Sequence, residues 1–435
     1  MSPAMVGIVG FCLFFVLIFL NMPIGFVMAL VGFIGFGLIR GFDPAMSLLS
    51  VQTYRTAADF ILGAIPLFIA MGFLAMHLGL STDLFYVMNK WIGQLRGGLA
   101  MAATGACSMF AAICGDAVAT AAAVGVVALP QMRKNKYADV LSAGVLASAG
   151  NLGFLIPPSL ALLIYAVITE QSIGTLFAAG ILPGLLLAAF FIITIWLWCR
   201  INPTLSTAAA AATWGERFSS LRYVSGSFLL IVLALGGIYG GIFTPTEAAA
   251  IGVFGVIVIG FIFRRLTWPA FAGGISDTAL LTGKIFILII GAMIFTRFIT
   301  VSEIPLHLSE TIAVLQVPPL MILVLTLIVY IILGFIVDII PVILITAPVL
   351  HPVLVGMGYD PIWLSVCVVM TILMGGITPP VGLVVFALSG VIKDVPIYTI
   401  FKGVFPFLGA MIICLVILIV FPQIVLFLPN LMRPG

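Results

Sequence analysis

Charge is what this chain most lacks: Asp, Glu, Lys and Arg make up 7% of 435 residues, against 63% hydrophobic. So few charges cannot clothe a fold of this size in water, and its outer face must meet lipid. No polybasic tract is present and the net charge is only +3, which offers nucleic acid no footprint. Cys12, Cys107, Cys114, Cys199, Cys367 and Cys414 show no CxxC or zinc-type spacing, so they read as small apolar side chains. His77, His307 and His351 stand far apart and fit no metal spacing either. A Walker-type phosphate loop is missing, so this chain is not expected to hydrolyse ATP. Strict apolar/polar alternation is also missing, which argues against a β-barrel.

What is present is apolar runs such as Met5 to Leu20, Ile173 to Cys199, Phe228 to Tyr239, Ile285 to Ile294 and Met411 to Phe421. They match or contribute to the roughly 20 residues a membrane-crossing helix needs. The fold class expected is therefore an all-α polytopic membrane protein embedded in the lipid bilayer. Met5 to Leu20 lacks a basic region before it, and Asn21-Met22-Pro23 leads into another span, so it reads as a crossing and not a cleaved signal.

Two stretches break the pattern. "NLGFLIPPSLALL" (151 to 163) and "GGITPPVGLVVF" (375 to 386) each place adjacent prolines in a greasy run, 222 positions apart. The same shift lays 110 to 166 on 332 to 388 without a gap, pairing Asp116 with Asp338, Pro130 with Pro352, Tyr137 with Tyr359 and Gly153 with Gly375. Asp, Pro, Gly and Tyr align least often by chance, so the chain reads as an internal duplication. Residues 1–200 form the first copy, 201–223 a polar cytoplasmic linker, and 224–435 the second copy. "RKNK" (133 to 136) has "VGMG" as its counterpart, so the positive-inside rule makes the copies inverted. A topology with five crossings per copy and both termini outside puts 13 of the 17 Lys and Arg in the cytoplasm, leaving Arg40, Arg55, Arg297 and Arg433.

That count requires one segment per copy that does not cross. Residues 98–131 and 318–352 are two apolar arms meeting at polar tips, Cys114-Gly115-Asp116 and Gly334 to Asp338, and read as re-entrant hairpins entering from opposite faces. The proline pairs unwind helices 138–168 and 360–390 near the bilayer midplane, because proline removes an N–H and clashes with the turn before it. Bare carbonyls in hydrocarbon cost several kcal/mol each unless protein, water or ligand satisfies them. Carbonyls and a carboxylate suit a hard cation, while helix N-termini suit an anion. The expected cation cages are Gly115 and Asp116 with Gly153 to Ile156, and Gly334 and Asp338 with Gly375 to Thr378, whose hydroxyl adds a ligand. An anionic substrate is expected between them, near the pseudo-twofold axis, against Asn151, Pro157, Pro158, Ser159, Pro379 and Pro380.

Other features are blander. Thr244-Pro245-Thr246-Glu247 reads as a capped helix start, and residues 43–59 and 266–283 as amphipathic arms along the membrane surface. Two intramembrane aspartates could suggest an aspartyl protease, but the Pro-Ala-Leu element is absent and the aspartates occupy equivalent places in a duplicated unit.

Taken together, "CGDAVATAAAVG" (114 to 125), "GFLIPPS" (153 to 159), "GGIFTPTEAAAIG" (240 to 252), "GGITPPVGL" (375 to 383) and the Asp338-to-Pro352 segment make the chain resemble the large membrane subunit of tripartite ATP-independent periplasmic (TRAP) transporters. The resemblance implies a sodium-driven importer of small organic anions working as an elevator in the bacterial inner membrane. It implies two partners, a periplasmic substrate-binding protein and a smaller four-helix membrane subunit, and no cofactor besides sodium as coupling ion. The family's sodium sites fall here on Gly115, Asp116, Gly153, Ile156, Gly334, Gly375 and Thr378. Cys114-Gly115-Asp116 departs from the commoner Ser-Gly-Ser tip by adding a carboxylate. A standalone divalent-anion/sodium symporter, needing no binding protein, is the alternative.

Overall fold

The computed structural model describes residues 2–207, 211–314, 317–380, 382–392 and 394–432. Lys393 and Arg433, both counted in the charge distribution, and Val381 of the second proline motif lie outside the described residues. Helices account for nearly all of what is described, with no strand among the described residues. In chain order they are α1 (Pro3–Phe19), α2 (Ile24–Arg40), α3 (Phe42–Ala58), α4 (Ala64–His77), α5 (Leu80–Ile92), α6 (Gly98–Cys114), α7 (Ala117–Lys134), α8 (Asp139–Gly150), α9 (Leu160–Ile168) and α10 (Ile173–Ile201). Then follow α11 (Trp214–Tyr239), α12 (Pro245–Ile262), α13 (Trp268–Val301), α14 (Ile304–Val314), α15 (Pro319–Ile336), α16 (Ile339–Gly356), α17 (Pro361–Ile377), α18 (Leu383–Val391), α19 (Ile397–Val420) and α20 (Gln423–Met432).

Helix starts in lipid cannot lean on water, so side chains supply the acceptors. Ser2, Asp116, Ser159, Ser172, Thr267, Asp338 and Asp360 each accept a first-turn N–H. Thr213 with Glu216 and Thr244 with Glu247 form reciprocal capping boxes, the second as its sequence suggested. The first box also shortens the linker: residues 214–223, polar enough to read as connector, are the opening turns of α11.

Among the described residues seven helices are long and apolar enough to cross a membrane, and α4 with α5 makes an eighth if that pair, bent by 65°, is one span. The chain is thus a multi-pass helical membrane protein. Both α15 and α16, which fall in the segment 318–352 expected to be a re-entrant hairpin, are among the seven.

Helix boundaries follow the 222-residue interval closely. Moved along by it, α6, α7, α8, α9 and α10 fall on α15, α16, α17, α18 and α19 within a few residues at their starts, and α2 falls on α12. Two pairs of segments differ, one being α11, which starts at Trp214 although the start of α1 falls on 225. Residues 266–283, expected as a separate arm like 43–59, run without interruption into the 34-residue α13. In the first copy Asp59 accepts the N–H of Ile61 at 2.7 Å and that of Leu62 at 3.3 Å, a turn that ends α3 before α4 begins. Its counterpart Leu281 has no oxygen to offer.

Packing sorts the helices into two groups. α2 lies against α13 and α4 against α12 and α13, whereas α7 to α10 interlock with α16 to α19, α8 against α19 most extensively. α5 with α6, α4 with α6, and α13 with α16 connect the groups.

Candidate functional site

α6 ends where Gly115 turns left-handed at φ +68°, and α7 begins at once because Asp116 is extended and accepts the Ala119 N–H at 2.7 Å. Thr120 donates its hydroxyl to the Asp116 carbonyl at 2.6 Å. The tip then meets the first helix break. Leu160 N–H donates to the Gly115 carbonyl at 3.0 Å, and a side chain at Gly115 would strike the Pro158 carbonyl. A side chain at Gly153 would strike the Asp116 carbonyl in turn. Two positions without a Cβ therefore let tip and break interlock backbone to backbone.

The second copy builds the same kind of meeting from a different pair. α15 ends at Ile336, and Asp338 caps α16 by accepting the Ile339 N–H at 2.7 Å. Gly334 and Gly375 cross so closely that a Cβ on Gly375 would stand 2.7 Å from the Gly334 Cα. Thr378 donates its hydroxyl to Met374 O at 2.5 Å and its N–H to Gly375 O at 3.0 Å. The Pro157–Pro158 and Pro379–Pro380 peptide bonds are both cis.

At each break two prolines withhold the N–H groups that Gly153 and Phe154, or Gly375 and Gly376, would receive in an unbroken helix. A short 3-10 turn, Asn151–Phe154, replaces the helix in the first copy, and Ser159 donates its hydroxyl to the Phe154 carbonyl at 2.5 Å. Carbonyl oxygens carry two lone pairs, so those bonded once retain a position for a cation. Asp116 and Asp338 each cap the helix that follows its tip, α7 and α16. Among the described residues no three of His, Cys, Asp and Glu gather as transition-metal ligands do. The donor set is backbone carbonyl, hydroxyl and carboxylate, which fits a small hard cation.

The residues named from sequence are brought together in two groups, one per copy, but unequally exposed. Gly115, Gly153 and Ile156 are buried, Asp116 is half-buried, and Asn151, Pro157, Pro158 and Ser159 are buried. Gly334 and Gly375 are buried, Thr378 and Pro379 half-buried, and Asp338 and Pro380 exposed. The second tip thus opens on a face of the chain while the first is packed. Of the residues expected against a substrate, Pro379 and Pro380 are at least partly exposed, whereas Asn151, Pro157, Pro158 and Ser159 are buried.

One polar cluster escaped the sequence reading. The Tyr165 hydroxyl lies 3.0 Å from His351 Nδ1, Gln171 Nε2 lies 3.0 Å from His351 Nε2, and Ser365 Oγ donates to Gln171 Oε1 at 3.3 Å. It joins α9 and the turn after it to α16 and α17. His77 likewise has a partner, Asp277, at 2.8 Å. Nothing local signals these pairings, since the partners are nearly 200 residues apart along the chain.

Residues 11–424 match the family described as the tripartite ATP-independent periplasmic transporter, DctM component. The chain is 36% identical over 383 residues to the C4-dicarboxylate TRAP transporter large permease of Pseudomonas aeruginosa, covering 88% of this chain and 89% of that protein. It is 33% identical to the ectoine TRAP transporter large permease of Halomonas elongata, covering 95% and 97%. Among solved structures, the YdaH transporter of Alcanivorax borkumensis superposes with a TM-score of 0.63 at 16% identity, covering 88% of this chain and 90% of that one, a likeness of fold alone.

Proposed function

The chain belongs to the DctM component family of the tripartite ATP-independent periplasmic transporters, and from that premise we propose that it imports a small organic anion coupled to sodium. It is a large permease subunit and not an enzyme, as its named relatives are. Those relatives are named for a C4-dicarboxylate and for ectoine. A small organic solute bearing a carboxylate, sugar acid or sulfonate group is the corresponding substrate class here.

The observation that carries this reading is the twofold meeting of a hairpin tip with a broken helix. Each places oxygens beside backbone interrupted by prolines, with a carboxylate, Asp116 or Asp338, at the tip. Sodium held at these two places offsets carboxylate charge and lets an anion approach; without it two carboxylates would repel the substrate. The packing of α7 to α10 with α16 to α19, apart from α2, α4, α12 and α13, supports an elevator in which the first group carries the site past the second. The matched helix boundaries support two copies of one unit, and the basic 133–136 against the uncharged 355–358 supports their inversion. The tripartite family name supports a periplasmic substrate-binding protein and a smaller membrane subunit as partners, and the bacterial inner membrane as location.

Uptake into proteoliposomes holding this chain and the small subunit tests the proposal. Accumulation should require both an inward sodium gradient and the binding protein outside. Uptake unchanged when choline replaces sodium would overturn the coupling. Uptake unchanged when the binding protein is omitted would favour the standalone symporter.

A further inference from the structure

One hydrogen bond in this fold joins a residue to its own counterpart. Asn151 Nδ2 donates to the backbone carbonyl of Leu373 at 3.2 Å, across 222 residues, the interval that lays one proline pair on the other. A position that touches its equivalent under a twofold operation lies at the axis. Asn151 stands two residues before Gly153, and Leu373 two residues before Gly375. The bond therefore ties the two breaks together at matching points, one in the 3-10 turn and the other in α17, which pack against each other.

Stability alone does not account for an asparagine here. Asn151 is 0% exposed. Only its nitrogen can donate to the Leu373 carbonyl, so the orientation of the amide is settled by chemistry. Its Oδ1 then faces away and finds no donor among the described residues. An apolar side chain of similar volume would leave no orphaned acceptor in the core, and Leu373, the counterpart, is such a residue. What the amide adds is a directional link whose length fixes one break relative to the other.

We infer that Asn151 is a positioning residue that couples the two cation sites. An ion drawn to the first break moves the 3-10 turn, and the Asn151 amide passes that shift to α17 two residues ahead of Gly375, so the first ion prepares the place of the second. This rests on the sodium reading proposed above, and reciprocity requires the second ion to favour the first equally.

The test is the sodium dependence of uptake in proteoliposomes supplied with the binding protein, for the wild type, Asn151→Leu and Asn151→Met. Both replacements are of roughly similar size and carry no donor. The wild-type curve should be sigmoidal with a Hill coefficient approaching about 2. Both variants should fall to about 1, with half-saturating sodium raised roughly tenfold. The readout is the shape of the curve: loss of folded protein lowers the maximum and leaves the Hill coefficient alone, and a lost substrate contact raises half-saturating substrate without changing that coefficient. For a variant that reconstitutes poorly, the sodium-dependent shift of thermal unfolding in detergent reads the same cooperativity without transport. A wild type indifferent to sodium would sink the sodium reading and this inference with it. A sodium-dependent wild type whose curve is hyperbolic, or whose cooperativity survives in both variants, overturns the coupling alone.

Discussion

At the scale of single residues, the site depends on side chains that are absent. Gly375 and its neighbour Gly376 make the sharpest contrast. A Cβ on Gly375 meets Gly334 backbone at 2.7 Å, whereas one on Gly376 meets only the end of Ile339 at 3.5 Å, ordinary contact. Gly375→Ala is expected to cost about 1–3 kcal/mol and to abolish uptake, because backbone cannot step aside as a flexible side chain can. Gly376→Ala should stay within about 0.5 kcal/mol of the wild type and transport normally. Thermal unfolding in detergent and uptake assays distinguish them, and equal behaviour of the two would show that the crossing is not tight. Gly115→Ala carries two penalties, the left-handed φ of +68° and the Pro158 carbonyl. The first alone is worth about 1–2 kcal/mol. Legibility at this scale was partial: Gly115, Gly153 and Gly375 stood out beside prolines and carboxylates, but the sequence did not say what each glycine faced.

Among elements, the corner between α4 and α5 is the joint to probe. The chain bends there by 65°, with Gly79 at φ +75°, and Arg265 from the turn after α12 holds it. Its guanidinium meets Asp83 through two nitrogens at 2.5 and 3.0 Å and donates to the Leu78 carbonyl at 3.4 Å. Hydrogen bonds to Asp83 push the Arg265 pKa above its ordinary value. For a cation whose folded pKa is raised, the stabilisation is fully present below the unfolded pKa and fades only as pH rises through the folded one, so it is undiminished across neutral pH. Arg265→Lys keeps the charge without the two-nitrogen fork and should cost about 1 kcal/mol, Arg265→Ala about 2. Arg265→Ala combined with Asp83→Asn should cost less than the sum of the two, since the bond can be lost only once. Additive losses in thermal unfolding would mean the pair contributes nothing beyond its separate surroundings. Sequence reading placed Arg265 only as a cytoplasmic charge, because its partner stands 182 residues away.

For the molecule as a whole, the inverted arrangement is open to direct measurement. Lys134 and Gly356 end α7 and α16, and both are exposed. Of the six cysteines only Cys12 is exposed, so Cys12→Ser leaves a quiet background for labelling. In intact cells and inverted vesicles, Lys134→Cys should react with a membrane-impermeant maleimide from the cytoplasmic side and Gly356→Cys from the opposite one. Both reacting from the same side would rule out inverted copies. The four leftover arginines of the charge count bear on the same question, since the positive-inside rule is a statistical bias and side-specific labelling is not.

Composition and punctuation by themselves determined that this is a helical membrane protein, where its helices break, and which interval relates the two breaks. Those properties are local: lipid selects apolar runs, proline interrupts a helix wherever it stands, and a small side chain is small in any setting. Tertiary structure alone decided that Asn151 reaches Leu373, that Gly334 crosses Gly375, and that Tyr165 and Gln171 close on His351. Each of these depends on how far apart two helices settle, and that distance is set by every side chain between them at once.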